Sequence, residues 1–328
     1  MSDWYNDEKL TKYAPDAIIN FIIGQRRIGK TFFFQKKAIE NFEKYGTQTL
    51  WLRNRKTEFE PPFIEDFLNG MRSINVGTDP GYIAKPTGLY LNGDLAIKFQ
   101  SLSTFSNIRG NAYPDINMIV FDEFCPEDRR YTKNCHTGLM SITKTILSGK
   151  QDAKVYCLSN YISVANPYFV GFNIYPHEKF DVTNFKDKNV AIEVCRGYKC
   201  AIESDNPWNK VYSAGGYQAY GEASEDELWT LISKAPQSGY RFNYYVRCDG
   251  ETYGFEVSNE MIWVHKCAPD KNNPGMTYGC TLQDCNNTVY PMSNEFKRQV
   301  KGWVDSNILR YADANTMFVI LKIVYSEV

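Results

Sequence analysis

Residues 17–31 read Ala17-Ile18-Ile19-Asn20-Phe21-Ile22-Ile23-Gly24-Gln25-Arg26-Arg27-Ile28-Gly29-Lys30-Thr31. The apolar first half of this stretch is typical of a buried parallel strand, and its second half matches the phosphate-loop pattern G-x-x-x-x-G-K-[ST]. The segment that follows, from Phe32 to Phe42, has helical character. A strand, a glycine-containing loop and a helix come in the order that a Walker A motif requires. A glycine turn with a purely structural role is the alternative, and it fits this context less well.

The chemistry of this loop predicts a site for ATP and Mg²⁺. Backbone N–H groups of the loop would surround phosphate oxygens, and the N-terminus of the next helix would add its dipole. The Lys30 amine would reach the β- and γ-phosphates, and the Thr31 hydroxyl would bind Mg²⁺. The predicted nucleotide-binding residues are Gly24, Gln25, Arg26, Arg27, Ile28, Gly29, Lys30 and Thr31.

A second motif further along the chain has the form of a Walker B strand. Residues 117–123 read Asn-Met-Ile-Val-Phe-Asp-Glu, an apolar strand that ends in two acids. Asp122 at the carboxyl end of the strand would hold Mg²⁺. Glu123 would orient and deprotonate the attacking water. Motor-type ATPases, which hydrolyse ATP, usually carry this second acid, whereas kinases that transfer phosphate to a bound substrate do not need it. A solvated strand end is the alternative, and the upstream Walker A motif argues against it.

Composition narrows the class of protein. The chain has 328 residues, enough for two domains, with 43% hydrophobic and 23% charged residues, as in a soluble globular protein. Its net charge of −1 gives no overall electrostatic attraction for nucleic acid, so any DNA contact must use a local patch or a ring. No apolar run approaches the length of a transmembrane helix, and the acidic N-terminus does not resemble a signal peptide. We therefore expect no membrane association.

The nine cysteines show no disulfide framework, which favours a reducing cytoplasm. Four residues come nearest to a metal site, and their spacing does not favour zinc. They are His265, Cys267, Cys280 and Cys285.

Polar residues follow two further strands of the predicted parallel sheet. The strand at residues 47–52 runs into Arg53, Arg55 and Lys56, which are candidate contacts to a polyanion such as DNA, with a solvated loop as the alternative. The strand at residues 154–158 ends in Ser159 and Asn160, which are placed to sense the γ-phosphate and couple its loss to the rest of the protein. Ordinary turn chemistry is the alternative there.

The character of the sequence changes after about residue 195. Residues 196–226 are rich in Gly, Ser, Asn and charge, which indicates a linker or a small lid. Three strands near residues 240–246, 252–257 and 261–265, followed by a helix over 295–309, predict a separate α+β domain. We expect a P-loop ATPase domain over 1–197, a linker or lid over 198–227 and a C-terminal domain over 228–328.

With these motifs placed, the chain resembles the DNA-packaging ATPases, terminase-like motors, of small protein-primed tailed phages of the picovirinae type. The resemblance rests on residues 21–31, 44–46 (Lys-Tyr-Gly), 111–114 (Asn-Ala-Tyr-Pro), 119–124, 157–160 (Cys-Leu-Ser-Asn) and 166–169 (Asn-Pro-Tyr-Phe). It implies an α/β fold: an additional-strand P-loop ATPase domain with a parallel sheet, followed by a small α+β domain of RNase H-like ancestry. It also implies a homo-oligomeric ring, usually pentameric, that docks on the portal vertex of an empty capsid (prohead) in the host cytoplasm and drives double-stranded DNA inward.

The resemblance also implies residue roles. Lys30 and Thr31 match the phosphate and Mg²⁺ ligands, Asp122 the Walker B acid and Glu123 the catalytic glutamate. Arg26 lies where packaging ATPases carry a phosphate-loop arginine, and Lys56 lies in the loop that presents cations to the DNA channel.

The chain departs from the family pattern in two places. No arginine stands where relatives carry a trans-acting arginine finger. Lys150 is our first candidate for that role, with Lys144, Arg129 and Arg130 as alternatives, although a lysine lacks the planar fork of arginine. In the C-terminal domain, the strand 242–246 carries no carboxylate, and Asp249 and Glu251 lie in a turn. Because an active nuclease needs carboxylates to hold its metal ions, we expect a vestigial nuclease that binds DNA, capsid or a structural RNA.

Two other classes remain as alternatives. A helicase or partition-type P-loop ATPase would act on single strands or on proteins. A nucleotide-binding switch without enzymatic activity would hold ATP to assemble a complex, and Glu123 argues against it. The sequence leaves open the number of subunits, the step size and the recognition of DNA ends.

Overall fold

The computed structural model describes residues 4–108, 113–126, 130–160, 164–198, 231–233, 241–258, 261–269, 271 and 275–325. The chain forms two compact units, one from residues 1–162 and 176–225 and the other from residues 163–175 and 226–328. The predicted linker over 198–227 lies, except for Tyr198, outside the described residues. Within the described part, no helix is long and apolar enough to cross a membrane.

The first unit is built on a nine-stranded sheet. Its described helices are α1 (Glu8–Tyr13), α2 (Lys30–Tyr45), α3 (Pro61–Arg72) and α4 (Cys135–Leu147). Its strands are β1 (Ile19–Gly24), β2 (Gln48–Arg53), β3 (Tyr82–Lys85), β4 (Gly88–Leu91), β5 (Asp94–Ser101), β6 (Ile116–Asp122), β7 (Lys154–Ser159), β8 (Val182–Phe185) and β9 (Val190–Cys195).

The strand order confirms the predicted fold class. The order is β3-β4-β5-β2-β6-β7-β1-β9-β8, and the six strands from β5 to β9 in that order are parallel. The Walker A strand β1 and the Walker B strand β6 are separated by β7, which is the additional strand of this class. Every residue of β1 is buried, as expected for a parallel strand covered on both faces. The carboxyl ends of β1, β2, β6 and β7 therefore meet at one edge of the sheet.

A two-residue Asn-Gly turn joins the antiparallel strands β4 and β5. Asn92 and Gly93 both have positive φ, 52° and 97°, as a two-residue Asn-Gly turn requires. Helices α2 and α3 bury their apolar faces against this side of the sheet, where Trp51 packs edge-on against Phe67 at 5.1 Å. The core of the first unit lies between these helices and the strands.

The second unit is built on a six-stranded sheet with the order β14-β13-β10-β11-β12-β15. Its described helices are α5 (Pro167–Phe172), α6 (Asn294–Asp305) and α7 (Ala314–Tyr325). Its strands are β10 (Arg241–Cys248), β11 (Glu251–Val257), β12 (Ile262–Lys266), β13 (Met276–Gly279), β14 (Tyr290–Pro291) and β15 (Leu309–Tyr311).

Strand directions in this sheet match the RNase H-like expectation. Strands β10, β11 and β12 form an antiparallel meander, while β13 pairs parallel to β10 and β14 parallel to β13. Helix α6 covers one face, where Phe296 lies 5.3 Å from Tyr244 and Trp303 lies 6.0 Å from Phe255, between ring centroids. Helix α5 precedes β8 in sequence but packs with α7 of this unit. The Tyr325 hydroxyl of α7 also donates to the carbonyl of Ala165, two residues before α5, at 3.4 Å.

Two expectations for this unit are wrong. The helix predicted over 295–309 ends at Asp305, because Asn307 adopts a positive φ of 56° and turns the chain into strand β15. The cysteines are not all free: Cys248 at the end of β10 and Cys280 after β13 form a disulfide, with 5.2 Å between their Cα atoms. Parallel pairing of β10 with β13 brings these two positions together, which cysteine spacing alone does not reveal.

Candidate nucleotide-binding site

The phosphate loop leaves β1 at Gly24 and enters α2 at Lys30. Two of its residues have positive φ, Arg27 at 61° and Gly29 at 94°, so the backbone turns tightly between the strand and the helix. Gly24 is required by a close approach, because a Cβ atom at this position would lie 2.5 Å from the Cβ of Cys195 on β9. The loop therefore packs directly on the neighbouring strand.

Lys30 is held inside the loop. Its amine donates to the carbonyl oxygens of Gly24 at 2.8 Å and Gln25 at 2.7 Å, and the residue is only 7% exposed. A phosphate in the loop would present oxygens to the same N–H donors with a full negative charge. The amine therefore lies inside the loop, and its role as a phosphate ligand stays a prediction.

The Walker A and Walker B motifs meet at Thr31 and Asp122. The Thr31 hydroxyl donates to Asp122 Oδ1 at 3.0 Å, and Asp122 is buried at the end of β6. A hydroxyl and a carboxylate side by side are the oxygen ligands that Mg²⁺ prefers. These two residues fit the predicted metal site, and Mg²⁺ bound there would neutralise charge on the phosphates.

Arg53 lies in this site, which the sequence did not predict. Its Nη2 atom donates to Asp122 Oδ2 at 3.1 Å and lies 4.0 Å from Glu123 Oε1. The guanidinium also covers the ring of Phe63 at 4.4 Å, and its side chain is 16% exposed. The strand order explains the position, because β2 is the direct neighbour of β6. Arg53 thus contacts the Walker B acids rather than extending from the loop with Arg55 and Lys56.

Glu123 adopts a left-handed backbone conformation. Its φ is 56°, and its carbonyl accepts a hydrogen bond from the buried Asn54 side chain at 2.6 Å. The Glu123 side chain is 48% exposed. Loss of water around the carboxyl raises the pKa of Glu123, an effect that the charge of Arg53 opposes and that of Asp122 reinforces. A raised pKa suits a carboxylate that accepts a proton from water.

Three other predicted residues lie at or near the same sheet edge. Arg26 is half-buried in the loop, close enough for its charge to lower the pKa of Glu123. Ser159 is paired in register with Ile23 of β1, and its buried hydroxyl makes no hydrogen bond among the described residues. Asn160 follows it. Their assignment as coupling residues stays a prediction.

The candidates for the trans-acting cation lie elsewhere. The Lys150 amine donates to the carbonyls of Tyr113 and Ile116, at the start of β6 and so at the sheet edge opposite Asp122. Burial lowers the pKa of Lys150. Lys144 is exposed on α4, Arg130 is exposed and accepts a bond from Arg55 through its carbonyl, and Arg129 lies outside the described residues. The structure places Lys150 outside its own chain's site, and its action on a neighbour stays a prediction.

Sequence reasoning missed one buried acid beside the loop. Glu193 on β9 is 0% exposed and accepts a hydrogen bond from the Tyr5 hydroxyl at 3.0 Å. Burial raises the pKa of Glu193 to about 7. A charged residue in an otherwise apolar strand, Val190-Ala191-Ile192-Glu193-Val194-Cys195, was the signal in the sequence that could have found it.

The raised pKa of Glu193 predicts how stability depends on pH. The folded protein binds the Glu193 proton more tightly than the unfolded chain does. The contribution of this proton to the free energy of unfolding is therefore complete below about pH 4.5 and is lost as the pH rises to about 7. Wild type should lose on the order of 3 kcal/mol of unfolding free energy over this pH range, and Glu193→Gln should not. The variant should therefore be more stable than wild type at pH 8. Urea unfolding at pH 5 and pH 8 measures this, with the exposed Glu178→Gln as control. Equal pH dependence in wild type and Glu193→Gln would contradict it.

The strand order and the paired motifs define a P-loop nucleotide-binding protein of the additional-strand class, joined to a unit with an RNase H-like sheet. The sequence profile of the family described as Podovirus DNA encapsidation protein (Gp16) matches residues 1–219. The DNA packaging protein of Bacillus phage phi29 is 34% identical over 301 residues, which cover 89% of this chain and 86% of that protein. The chain therefore belongs to the Podovirus DNA encapsidation protein family.

Solved structures agree with this assignment. The chain resembles a protein of the bacteriophage Phi-29 viral genome packaging motor assembly with a TM-score of 0.64 and 25% identity, covering 98% of this chain and 100% of that one. It also resembles the N-terminal domain of the DNA packaging ATPase from bacteriophage phi29, with a TM-score of 0.54 and 32% identity, covering 60% of this chain and 98% of that one.

Proposed function

We propose that this protein is an ATP-driven motor that moves double-stranded viral DNA through a portal into a preformed capsid. One observation carries the proposal: Thr31 and Asp122 share a 3.0 Å hydrogen bond, with Glu123 beside them, in a chain of the DNA encapsidation family. The phi29 relative is named a DNA packaging protein, and the related solved assembly is named a genome packaging motor. Together, a hydrolytic site and these relatives favour a motor.

Each residue of the site has a separate role in the proposed hydrolysis. The loop N–H groups and the Lys30 amine bind and orient the phosphates, and Thr31 with Asp122 would hold Mg²⁺, which stabilises the charge that develops on phosphoryl oxygens. Glu123 accepts the proton from the attacking water. Arg26 stabilises charge on the γ-phosphate, and Ser159 and Asn160 report its loss to the following segment. A trans-acting cation, Lys150 in our first assignment, comes from the neighbouring subunit.

A ring of identical subunits explains how a chain of net charge −1 binds DNA. Each subunit needs only one or two cations facing the channel, because the ring multiplies them. Lys56 is exposed at the start of a short 3-10 helix that follows the strand β2, next to the Walker B strand. Since Arg53 pairs with Asp122, Lys56 and Arg55 are the stronger candidates for contact with DNA. The portal vertex of the capsid is the proposed docking site, in the host cytoplasm, with a structural RNA as a further candidate partner.

Lys56→Ala is expected to weaken DNA binding uniformly across sequences, because phosphate contacts carry no base information. The slope of log affinity against log salt should become shallower by about 0.9 for each DNA phosphate that Lys56 neutralises in the wild type. Basal ATP hydrolysis without DNA should survive, since Lys56 lies outside the phosphate loop. A salt titration of DNA-stimulated hydrolysis measures this, with the exposed Lys85→Ala as control. An unchanged salt slope, or an equal loss of basal hydrolysis, would place Lys56 outside the channel.

For the second unit we propose a vestigial nuclease that serves as a binding surface for DNA, capsid or RNA. Glu251 begins strand β11 and does not lie in the turn that the sequence suggested. Two acids of this unit are paired with basic residues: Glu251 bonds Lys266 at 2.8 Å and Glu256 bonds His265 at 2.7 Å. An active nuclease of this fold needs clustered carboxylates to hold its metal ions. Acids that already have basic partners suit a structural role better.

A helicase or partition-type ATPase acting on single strands or proteins is the second candidate. The two candidates are separated by titrating ATP hydrolysis with duplexes of increasing length and with single strands of the same sequence. A packaging motor is stimulated by duplex in a length-dependent way and binds empty capsids. Stimulation by single strands alone, without capsid binding, would overturn the proposed function.

A further inference from the structure

The first described residues of the chain cross the phosphate loop. We call Trp4–Tyr13 the strap. The Tyr5 backbone N–H donates to the Ile28 carbonyl in the middle of the loop at 2.9 Å. The Tyr5 ring is 3% exposed and lies edge-on to Phe33 of α2 at 5.5 Å. Trp4 lies against Gly29, where an added Cβ atom would be 3.6 Å from its ring. The strap therefore contacts the half of the loop that leads into α2.

The same strap is bonded to the end of β9. The Tyr5 hydroxyl donates to Glu193 Oε2 at 3.0 Å, and the Tyr198 hydroxyl donates to the Asn6 carbonyl at 3.3 Å. Lys9 of the strap donates to the Arg196 carbonyl at 3.0 Å. The other half of the loop already touches β9, through Gly24 and Cys195. Both halves of the phosphate loop are thus tied to one strand, directly at Gly24 and through Tyr5 at Ile28.

A buried carboxylate in β9 needs an explanation beyond packing. Its neighbours in the strand are apolar, and an apolar side chain would fill the position without the cost of removing a charge from water. A carboxyl oxygen that accepts a phenol O–H gives a directional bond that an apolar contact cannot give. Such a bond fixes the Tyr5 ring, and with it the backbone N–H that bonds Ile28.

We propose that Tyr5 and Glu193 are positioning residues for the nucleotide, which hold the Ile28 carbonyl so that the loop's N–H groups stay aimed at the phosphates. The inference rests on the proposed function only in requiring that the loop binds ATP. Because the loop is already held in its binding conformation, no entropy is lost in ordering it when the nucleotide binds. The pair therefore acts on nucleotide affinity rather than on the chemical step. Neither residue belongs to the phosphate loop itself, which joins Gly24 to Lys30.

The test compares two tyrosines of the strap. Tyr5→Phe removes only the hydroxyl that bonds Glu193, while Tyr13→Phe removes the hydroxyl of a 55% exposed ring and is the matched control. In the full chain, the Kd of a fluorescent ATP analogue with Mg²⁺, the KM and kcat of basal hydrolysis, and Tm are measured. We expect Tyr5→Phe to raise Kd and KM about three- to tenfold, as loss of one ordinary hydrogen bond would, with kcat within about twofold. Tyr13→Phe should match wild type.

A second pair of variants separates positioning from packing. Glu193→Gln keeps an acceptor for the Tyr5 hydroxyl and should keep Kd within about twofold of wild type, whereas Glu193→Leu should raise it as Tyr5→Phe does. If Tyr5→Phe fails to fold, this pair decides alone. A lower Tm with unchanged Kd in Tyr5→Phe, or equal Kd values in Glu193→Gln and Glu193→Leu, would overturn the inference and leave the proposed function standing. Failure of wild type to bind the analogue would instead overturn the proposed function.

Discussion

Glu123→Gln is expected to lower the rate of ATP hydrolysis by about 10²- to 10⁴-fold while ATP still binds. The amide keeps the size of the side chain but cannot accept the proton of the attacking water. Its backbone anchor, the bond from Asn54 to the Glu123 carbonyl, is unaffected by the change. The phosphate ligands Lys30 and Thr31 are likewise untouched, so binding and hydrolysis should separate.

Single-turnover hydrolysis and equilibrium ATP binding, measured on the same preparation, test this separation. Glu65→Gln, an exposed acid on α3, is the matched control and should behave as wild type. Asp122→Asn should fail in both assays. It weakens the Mg²⁺ site, and it removes the negative charge that pairs with the largely buried Arg53. Hydrolysis by Glu123→Gln within about tenfold of the wild-type rate would show that another group is the base.

Lys30→Ala is expected to weaken ATP binding by about 10- to 100-fold, because it removes charged N–H donors worth about 1.5–3 kcal/mol from the phosphates. The amine bonds the loop carbonyls of Gly24 and Gln25, and these neutral acceptors can be hydrated when it is removed. Lys36→Ala on the exposed face of the same helix, where Lys36 pairs with Glu40, is the control. Equilibrium binding of a fluorescent ATP analogue measures both variants. An unchanged Kd for Lys30→Ala would remove the loop from the ATP site.

Much of the first unit could be predicted from the sequence, because its signals are local. The phosphate loop needs a fixed spacing of Gly24, Gly29 and Lys30, and the Asn92–Gly93 turn needs two adjacent residues that accept positive φ. The meeting of Thr31 with Asp122 followed from a general property of parallel sheets, whose carboxyl strand ends lie together.

The rest depends on contacts between distant parts of the chain. In the sequence, Arg53 is one of several cations that follow a predicted strand. Only the pairing of β2 with β6 in the fold brings it to Asp122. Tyr5 and Glu193 are 188 positions apart, and nothing in the local pattern of either predicts their hydrogen bond. In the second unit, Asn307 in the left-handed conformation turns the chain away after Asp305, before the predicted end of the helix at residue 309.

ATP hydrolysis at this site is proposed to drive DNA into a capsid, and packaging itself is the decisive assay. Purified protein is mixed with empty portal-bearing capsids of its phage, genomic DNA and ATP, and the DNA that survives nuclease digestion is then quantified. We expect full-length protected DNA with wild type and ATP, and none with Glu123→Gln or without ATP. Equal protection by Glu123→Gln, or protection that does not require ATP, would contradict the proposed coupling of hydrolysis to DNA movement.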